Sequence, residues 1–263
     1  MTSAVDRIED IDYCIRYLLK QNHARAEIPH RLHEKKELLR ALMNIWSPQP
    51  LDIEFLQAQD AELQAQKKEK GVVSLKDISE TPHSMLLWQG DITRLRVDAI
   101  VNAANSRGLG CWHPLHACID NAIHSAAGVQ LRKECNQILQ GETIATGGAI
   151  ITPGYNLPAK WVIHTVGPII DTDTPTTGQE ELLAGCYRSC LYLAKEHGCR
   201  SIAFCCISTG EFHFPNRRAA EIAVDVVRKQ ITHNPQSSSL RTVVFNVFKD
   251  IDYNIYRELL AKR

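Results

Sequence analysis

Hydrophobic positions along this chain change their period near residue 80. Before that point they recur at helical spacing. Residues 6–21 set Ile8, Ile11, Ile15, Tyr17 and Leu18 near one stripe. Pro29 precedes a second predicted helix, 31–46, carrying Leu32, Leu38, Leu39, Leu42 and Met43. Ser47-Pro48-Gln49-Pro50 then breaks the chain, and a third helix is predicted over 52–68. Its Gln/Lys-rich second half reads as solvated, with Lys67, Lys68 and Lys70 forming a wet face and not a binding site.

From residue 84 onward, β-rich runs at 84–88, 97–102, 161–165, 201–207 and 242–247 alternate with helical patterns near 115–127, 179–197 and 217–232. Runs such as Ala-Ile-Val, Val-Val-Phe and Ala-Phe-Cys-Cys-Ile are apolar throughout, as strands covered on both faces require. Strands alternating with helices predict an α/β layered fold. Glycine follows the same division: 13 of the 14 lie from Gly90 onward, and Gly71 sits at the junction. The expected organisation is an N-terminal helical extension, 1–80, followed by an α/β domain, 81–263.

Composition narrows the classes. The 263 residues carry 30 Lys+Arg and 30 Asp+Glu, a formal charge of zero. A surface that tracks a nucleic-acid backbone needs clustered excess cations, so nucleic acid is not an expected partner. No apolar run approaches the roughly 20 residues that span a bilayer, and the acidic N-terminus lacks a signal-peptide core. The nine Cys are an odd number scattered along the chain. They suit reduced thiols in the cytoplasm better than a disulfide framework.

Ligands of α/β folds sit at the carboxyl ends of strands, which points to the loops after Asn102 and after Ile207. The first contains Asn102 and Asn105, then Gly108 and Gly110, which allow close backbone approach or positive φ. Pro114 suits the first turn of a helix. The second, Ser208-Thr209-Gly210-Glu211-Phe212-His213-Phe214-Pro215, could turn successive backbone N–H groups toward phosphate oxygens. Each loop alone is also what an ordinary connection looks like. Cys111, His116 and Cys118 offer zinc donors; inert thiols beside a surface His are the competing reading. Regular helix would aim His116 and Cys118 apart, so they converge only where the segment is loop or helix start. His113 and Cys135 are reserve ligands. His164, in an apolar strand, reads as a satisfied core histidine, and His124 shares a helix face with Asp120.

Together the blocks Gly90-Asp91-Ile92-Thr93, Asn102-Ala103-Ala104-Asn105, Ile119-Asp120-Asn121-Ala122-Ile123-His124 with Ala126-Ala127-Gly128, and Val162-Ile163-His164-Thr165-Val166-Gly167-Pro168 resemble the macrodomain, an ADP-ribose-binding module. The segment from Gly110 to Cys118 resembles the zinc-containing branch of that family, hydrolases with an extra N-terminal helical segment. The resemblance implies a three-layer α/β/α fold with a mostly parallel mixed sheet. It implies that Asp91 accepts from the adenine amino group, with the Ile92 backbone beside it, and that Phe248 lines the adenine end. Asn105 would bond the distal ribose and act in catalysis with Asp120. Ser208, Thr209, Gly210, Glu211 and Phe212 would wrap the diphosphate, Phe212 also covering the distal ribose. Asn121 stands where many relatives have Gly.

The function so implied is removal of mono-ADP-ribose from modified proteins by cleavage at C1″, with Zn²⁺ on Cys111, His116 and Cys118. The expected partners are the ADP-ribosylated protein and the ADP-ribose product, for a monomer. The alternatives are a non-catalytic ADP-ribose reader with structural zinc, or an O-acetyl-ADP-ribose deacetylase.

Overall fold

The computed structural model describes residues 4–78, 85–172, 174–232 and 239–261. The boundary expected at residue 80, and Ser84 at the head of the first predicted strand, lie outside the described residues.

Three helices, α1 (Ala4–Gln21), α2 (Leu32–Asn44) and α3 (Ile53–Lys70), stand where the helical period predicts them. Their apolar stripes bury a core of their own, built on Ile11, Ile15, Leu18, Leu39, Trp46 and Phe55. Tyr17 stacks on Phe55 with ring centroids 4.3 Å apart. Gly71, at φ +74°, ends α3. One residue from the other half of the chain, Val129, joins this core.

The second half folds around a six-stranded sheet of β2 (Met85–Gln89), β4 (Ala99–Ala103), β5 (Ala149–Pro153), β6 (Trp161–Thr165), β7 (Ser201–Phe204) and β8 (Thr242–Val247). The spatial order is β2-β8-β7-β4-β6-β5. Every neighbouring pair is parallel except β5 with β6. A separate parallel pair joins β1 (Val73–Ser74) to β3 (Leu95–Arg96). Helices flank the sheet in two groups. In one, α6 (Thr177–Glu196), α7 (Asn216–Thr232) and α8 (Asp250–Ala261) lie side by side. In the other, α4 (Ile119–Ala127) and α5 (Val129–Leu139) pack on β4 and β5. This is the three-layer α/β/α arrangement with a mixed sheet, and α2 and α3 dock onto α4.

Two differences from the sequence pattern matter. The helix predicted from residue 115 starts at Ile119, because Leu115 adopts φ +58°, outside helical space. The pattern also passed over α5, β5 and α8. β5 is a short antiparallel strand between Gly148 and Gly154, only partly buried, and lacks a continuous apolar run.

Replacing Phe55 by Ala removes a fully buried ring from the helical core and the partner of Tyr17. Urea unfolding of this variant should show a loss of about 3–5 kcal/mol.

Candidate active site

The carboxyl ends of β2, β4 and β7 open into one cleft of about 760 Å³. Asp91 follows β2 and caps a single 3-10 turn, Ile92–Arg94. Its Oδ1 accepts from the Thr93 amide at 3.0 Å and the Thr93 hydroxyl at 2.6 Å, and its Oδ2 faces Lys70 Nζ at 3.2 Å. Burial opposes its charge, but the Thr93 hydrogen bonds and the Lys70 cation outweigh it and hold the carboxyl below its ordinary value. Ile92 is buried beside it, and Phe248 stands 77% exposed at the rim.

Part of the helix face read as solvated borders the cleft, with Lys70 still exposed. Lys67 and Lys70 line the cleft, while Lys68 is exposed and absent from its wall. Lys36 and Arg40 of α2 line it too. A polar helix face has the same pattern whether it meets water or a cleft, so the sequence carried no signal for these four.

At the other end, β4 delivers a buried polar chain. Asn102 Nδ2 donates to Asp120 Oδ1 at 2.7 Å and lies 3.1 Å from His164 Nδ1. Asn105 Nδ2 donates to the Gly110 carbonyl at 3.0 Å and to Asp120 Oδ2 at 3.2 Å. Burial pushes Asp120 up to about 6, against the pull of Asn102, Arg132 and Asn105. His124 Nε2 lies 3.5 Å from Asp120 Oδ1. A Cβ on Gly110 would meet the His124 ring at 2.8 Å, so that position needs glycine for space as well as for its φ of +79°.

Cys111, His116 and Cys118 converge, with donor atoms all within 4.8 Å of one another. Cys111 Sγ is 3.5 Å from His116 Nδ1. The convergence follows from the late start of α4: the segment before Ile119 is irregular, and Cys118 is the N-cap, its Sγ accepting from the Asn121 amide at 3.4 Å. Burial pushes the Cys118 thiol up to about 12, with the nearby Cys111 and Asp120 adding to it. The reserve ligands do not join this group. The His113 ring lies tilted at 55° beside that of His116, with centroids 5.4 Å apart. Cys135 lies behind the cleft with His124 and His164, its Sγ 3.7 Å from His164 Nε2. His164 is the satisfied core histidine the pattern predicts: Nδ1 meets Asn102, and Nε2 lies 3.1 Å from Thr152 Oγ1.

The loop after β7 supplies the third wall. Ser208 and His213 both have positive φ, +65° and +55°, and the Phe214 amide donates back to the Ser208 carbonyl at 2.9 Å. Gly167 comes so close that a Cβ there would lie 2.0 Å from Ser208 Oγ. Among the described residues, the backbone N–H groups of Thr209, Gly210, Glu211 and Phe212 have no acceptor within the protein. A run of amides left without a backbone acceptor is the kind of arrangement in which anions are held in other folds. Phe212 packs beside Leu139, Ile144 and Val166, and Glu211 Oε1 lies 3.9 Å from His116 Nε2.

Residues 101–223 match the Macro domain family. A protein-ADP-ribose hydrolase of Treponema medium is 49% identical over 95% of this chain and 97% of its own. This chain belongs to the macrodomain family. A protein-ADP-ribose hydrolase of Staphylococcus aureus strain MSSA476 is 45% identical over 93% of this chain and 94% of its own. The solved macrodomain of Trypanosoma brucei in complex with ADP-ribose superposes with a TM-score of 0.64 at 30% identity, covering 84% of this chain and 95% of that one. In this macrodomain the cleft thus has a carboxylate at one end, a run of free amides along one side, and a carboxylate with two thiols and an imidazole at the other end.

Burial carries a pH signature. It lowers His164 from 6.5 to about 3 and, with His164 and Arg132 nearby, lowers His124 well below its ordinary value. The unfolded chain therefore takes up protons that the fold refuses. This contribution to stability is complete above pH 6.5 and is lost as pH falls toward 3. Replacing His164 by Gln should reduce the stability lost between pH 7 and pH 4 by about 3 kcal/mol, read by urea unfolding at the two pH values.

Proposed function

We propose that this macrodomain is a protein-ADP-ribosyl hydrolase that cleaves the bond at C1″ of the distal ribose and releases ADP-ribose. The observation that carries the reading is the near-full-length identity to protein-ADP-ribose hydrolases, 49% and 45%. The cleft supplies the chemistry. The Asp91 carboxylate accepts from the adenine amino group. The free amides of residues 209–212 bind the diphosphate with backbone dipoles, so a chain of zero net charge holds a dianion. Phe212 covers the distal ribose, and Asn105 fixes the sugar beside Asp120.

Hydrolysis adds a water oxygen to C1″ and returns the side chain of the modified protein with a proton. Ionised Asp120, a stronger base than an ordinary carboxylate because burial raises it to about 6, takes the proton from the water as its oxygen bonds to C1″ and passes that proton to the departing side chain. Its hydrogen bonds to Asn102 and Asn105 keep it aimed as it changes charge. The donor set of Cys111, His116 and Cys118 fits zinc: two sulfurs and an imidazole, partly exposed and lining the cleft, with a fourth position left for a ligand. Zinc held there would supply Lewis-acid polarisation beside the anomeric carbon.

Two predictions separate these roles. Cys118→Ala should drop the metal content from one zinc per chain to none and lower ADP-ribose release by about a hundredfold or more. Elemental analysis and release from a mono-ADP-ribosylated protein, before and after chelation, check this; undiminished release from metal-free enzyme removes zinc from the mechanism. Asp91→Ala should raise KM about tenfold and leave kcat little changed, since it removes binding far from the scissile bond. Steady-state kinetics on protein-linked ADP-ribose, with free ADP-ribose as a competing product inhibitor, would show it.

A further inference from the structure

We infer that Arg40, on helix α2 of the N-terminal extension, positions the loop holding Cys111, His116 and Cys118 by acting through Asn121. The inference extends the hydrolase reading above to residues that none of its roles involve. Arg40 Nη2 and Nε donate to Asn121 Oδ1 at 2.7 and 3.2 Å, and Nη2 also approaches the His116 carbonyl at 3.4 Å. Asn121 is fully buried. Its Nδ2 donates to the His113 carbonyl at 3.0 Å, and its amide donates to Cys118 Sγ at 3.4 Å. Asn121 thus meets the loop at two points, its side chain at His113 and its backbone at Cys118, and Arg40 holds that side chain.

A second contact from α2 points the same way. Asn44 Oδ1 accepts from the Leu115 amide at 3.0 Å, at the residue whose φ is +58°. A leucine stays in that conformation only where its surroundings hold it. Within the loop itself the described bonds are few: the His116 amide to the His113 carbonyl at 3.2 Å and the Cys111–His116 contact. The loop is therefore held mainly from outside, by α2, by α4 and by Arg132 of α5, whose Nη2 donates to the Cys111 carbonyl. A glycine at position 121 would offer neither the acceptor for Arg40 nor the donor for His113, which gives Asn121 its physical reason.

The planar guanidinium matters because two of its nitrogens converge on one oxygen. The hydrogen bonds of Arg40 run to Asn121 Oδ1 and the His116 carbonyl, and not to either thiol. Arg40 is a positioning residue, and the extension is part of the active site.

The test uses full-length Arg40→Met, which keeps the stem and loses the donors, with Asn121→Ala and the double variant. The first readout needs neither metal nor activity: the rate at which iodoacetamide alkylates Cys111 and Cys118 in chelator-treated protein, resolved by mass spectrometry. The second is zinc affinity by competition with a chromogenic chelator. The third is the split between kcat and KM for ADP-ribose release. Each single variant should speed alkylation of both thiols and weaken zinc binding about tenfold, and lower kcat with KM within about twofold. The double variant should be no worse than the worse single one, since the two residues act as one unit. Alkylation and zinc affinity within about twofold of wild type in Arg40→Met, or additive effects in the double variant, would overturn the inference. Should Asn121→Ala fail to fold, Arg40→Met alone decides. Should wild type release no ADP-ribose, the hydrolase reading falls, and the alkylation rates still judge Arg40.

Discussion

A buried guanidinium ties the two halves of this protein together. Arg132, on α5, is only 2% exposed. Its Nη1 donates to the Asn44 and Trp46 carbonyls at 2.8 and 2.7 Å, and its Nη2 to the Cys111 carbonyl at 3.2 Å. Its carbon lies 4.2 Å over the Trp112 ring. The carbonyls at the end of α2 have no partners within the helix, and a cation there also meets the negative end of the helix dipole. Burial lowers Arg132 to about 10, with Asp120 the chief opposing charge, so it stays protonated at neutral pH. Removing either side would leave buried charge or buried carbonyls unpaired, which costs more than the contact itself is worth. The position of α2, the path of the loop at Cys111 and the field at Asp120 all depend on this one group.

Around that anchor the cleft is assembled from strand ends. β2 presents Asp91, β4 presents Asn102 and Asn105, and β7 leads into the loop from Ser208. The two ends differ in character. At Asp91 a carboxylate is kept charged by Thr93 and Lys70. At Asp120 a carboxylate is moved toward neutrality by burial. Two acids of ordinary chemistry are thereby set apart by environment, one held ionised and one raised by burial.

What could be read from the sequence follows from how each signal arises. Strands β6 and β8 were legible to the residue, because apolar runs covered on both faces leave an unbroken pattern. The convergence of Cys111, His116 and Cys118 needed the structure to show that residue 115 leaves helical space, a property its neighbours impose. Arg40 and Lys70 were illegible for a different reason. Each sits on a helix whose polar face would look the same in water, and its partner is far off in sequence: Asn121 is 81 residues from Arg40, and Asp91 is 21 from Lys70. Asn121 was visible as a departure from the family pattern, but its meaning lay in a residue on another helix. Cys135 and His113 have the chemistry of ligands, but side-chain direction took one behind the cleft and left the other beside it.

The sheet order has a consequence for how the protein comes into being. β2 lies at the edge, and its one neighbour in the sheet is β8. The Gly90 amide donates to the Val247 carbonyl, and Asn246 Nδ2 donates back to the Gly90 carbonyl. The bed on which Asp91 rests is therefore laid by a segment about 160 residues later in the chain. A nascent chain that has already delivered the helices, the thiol loop and the amide edge still lacks that bed until its last strand emerges. The Asp91 end of the cleft would thus be completed last during translation, after the other walls have emerged.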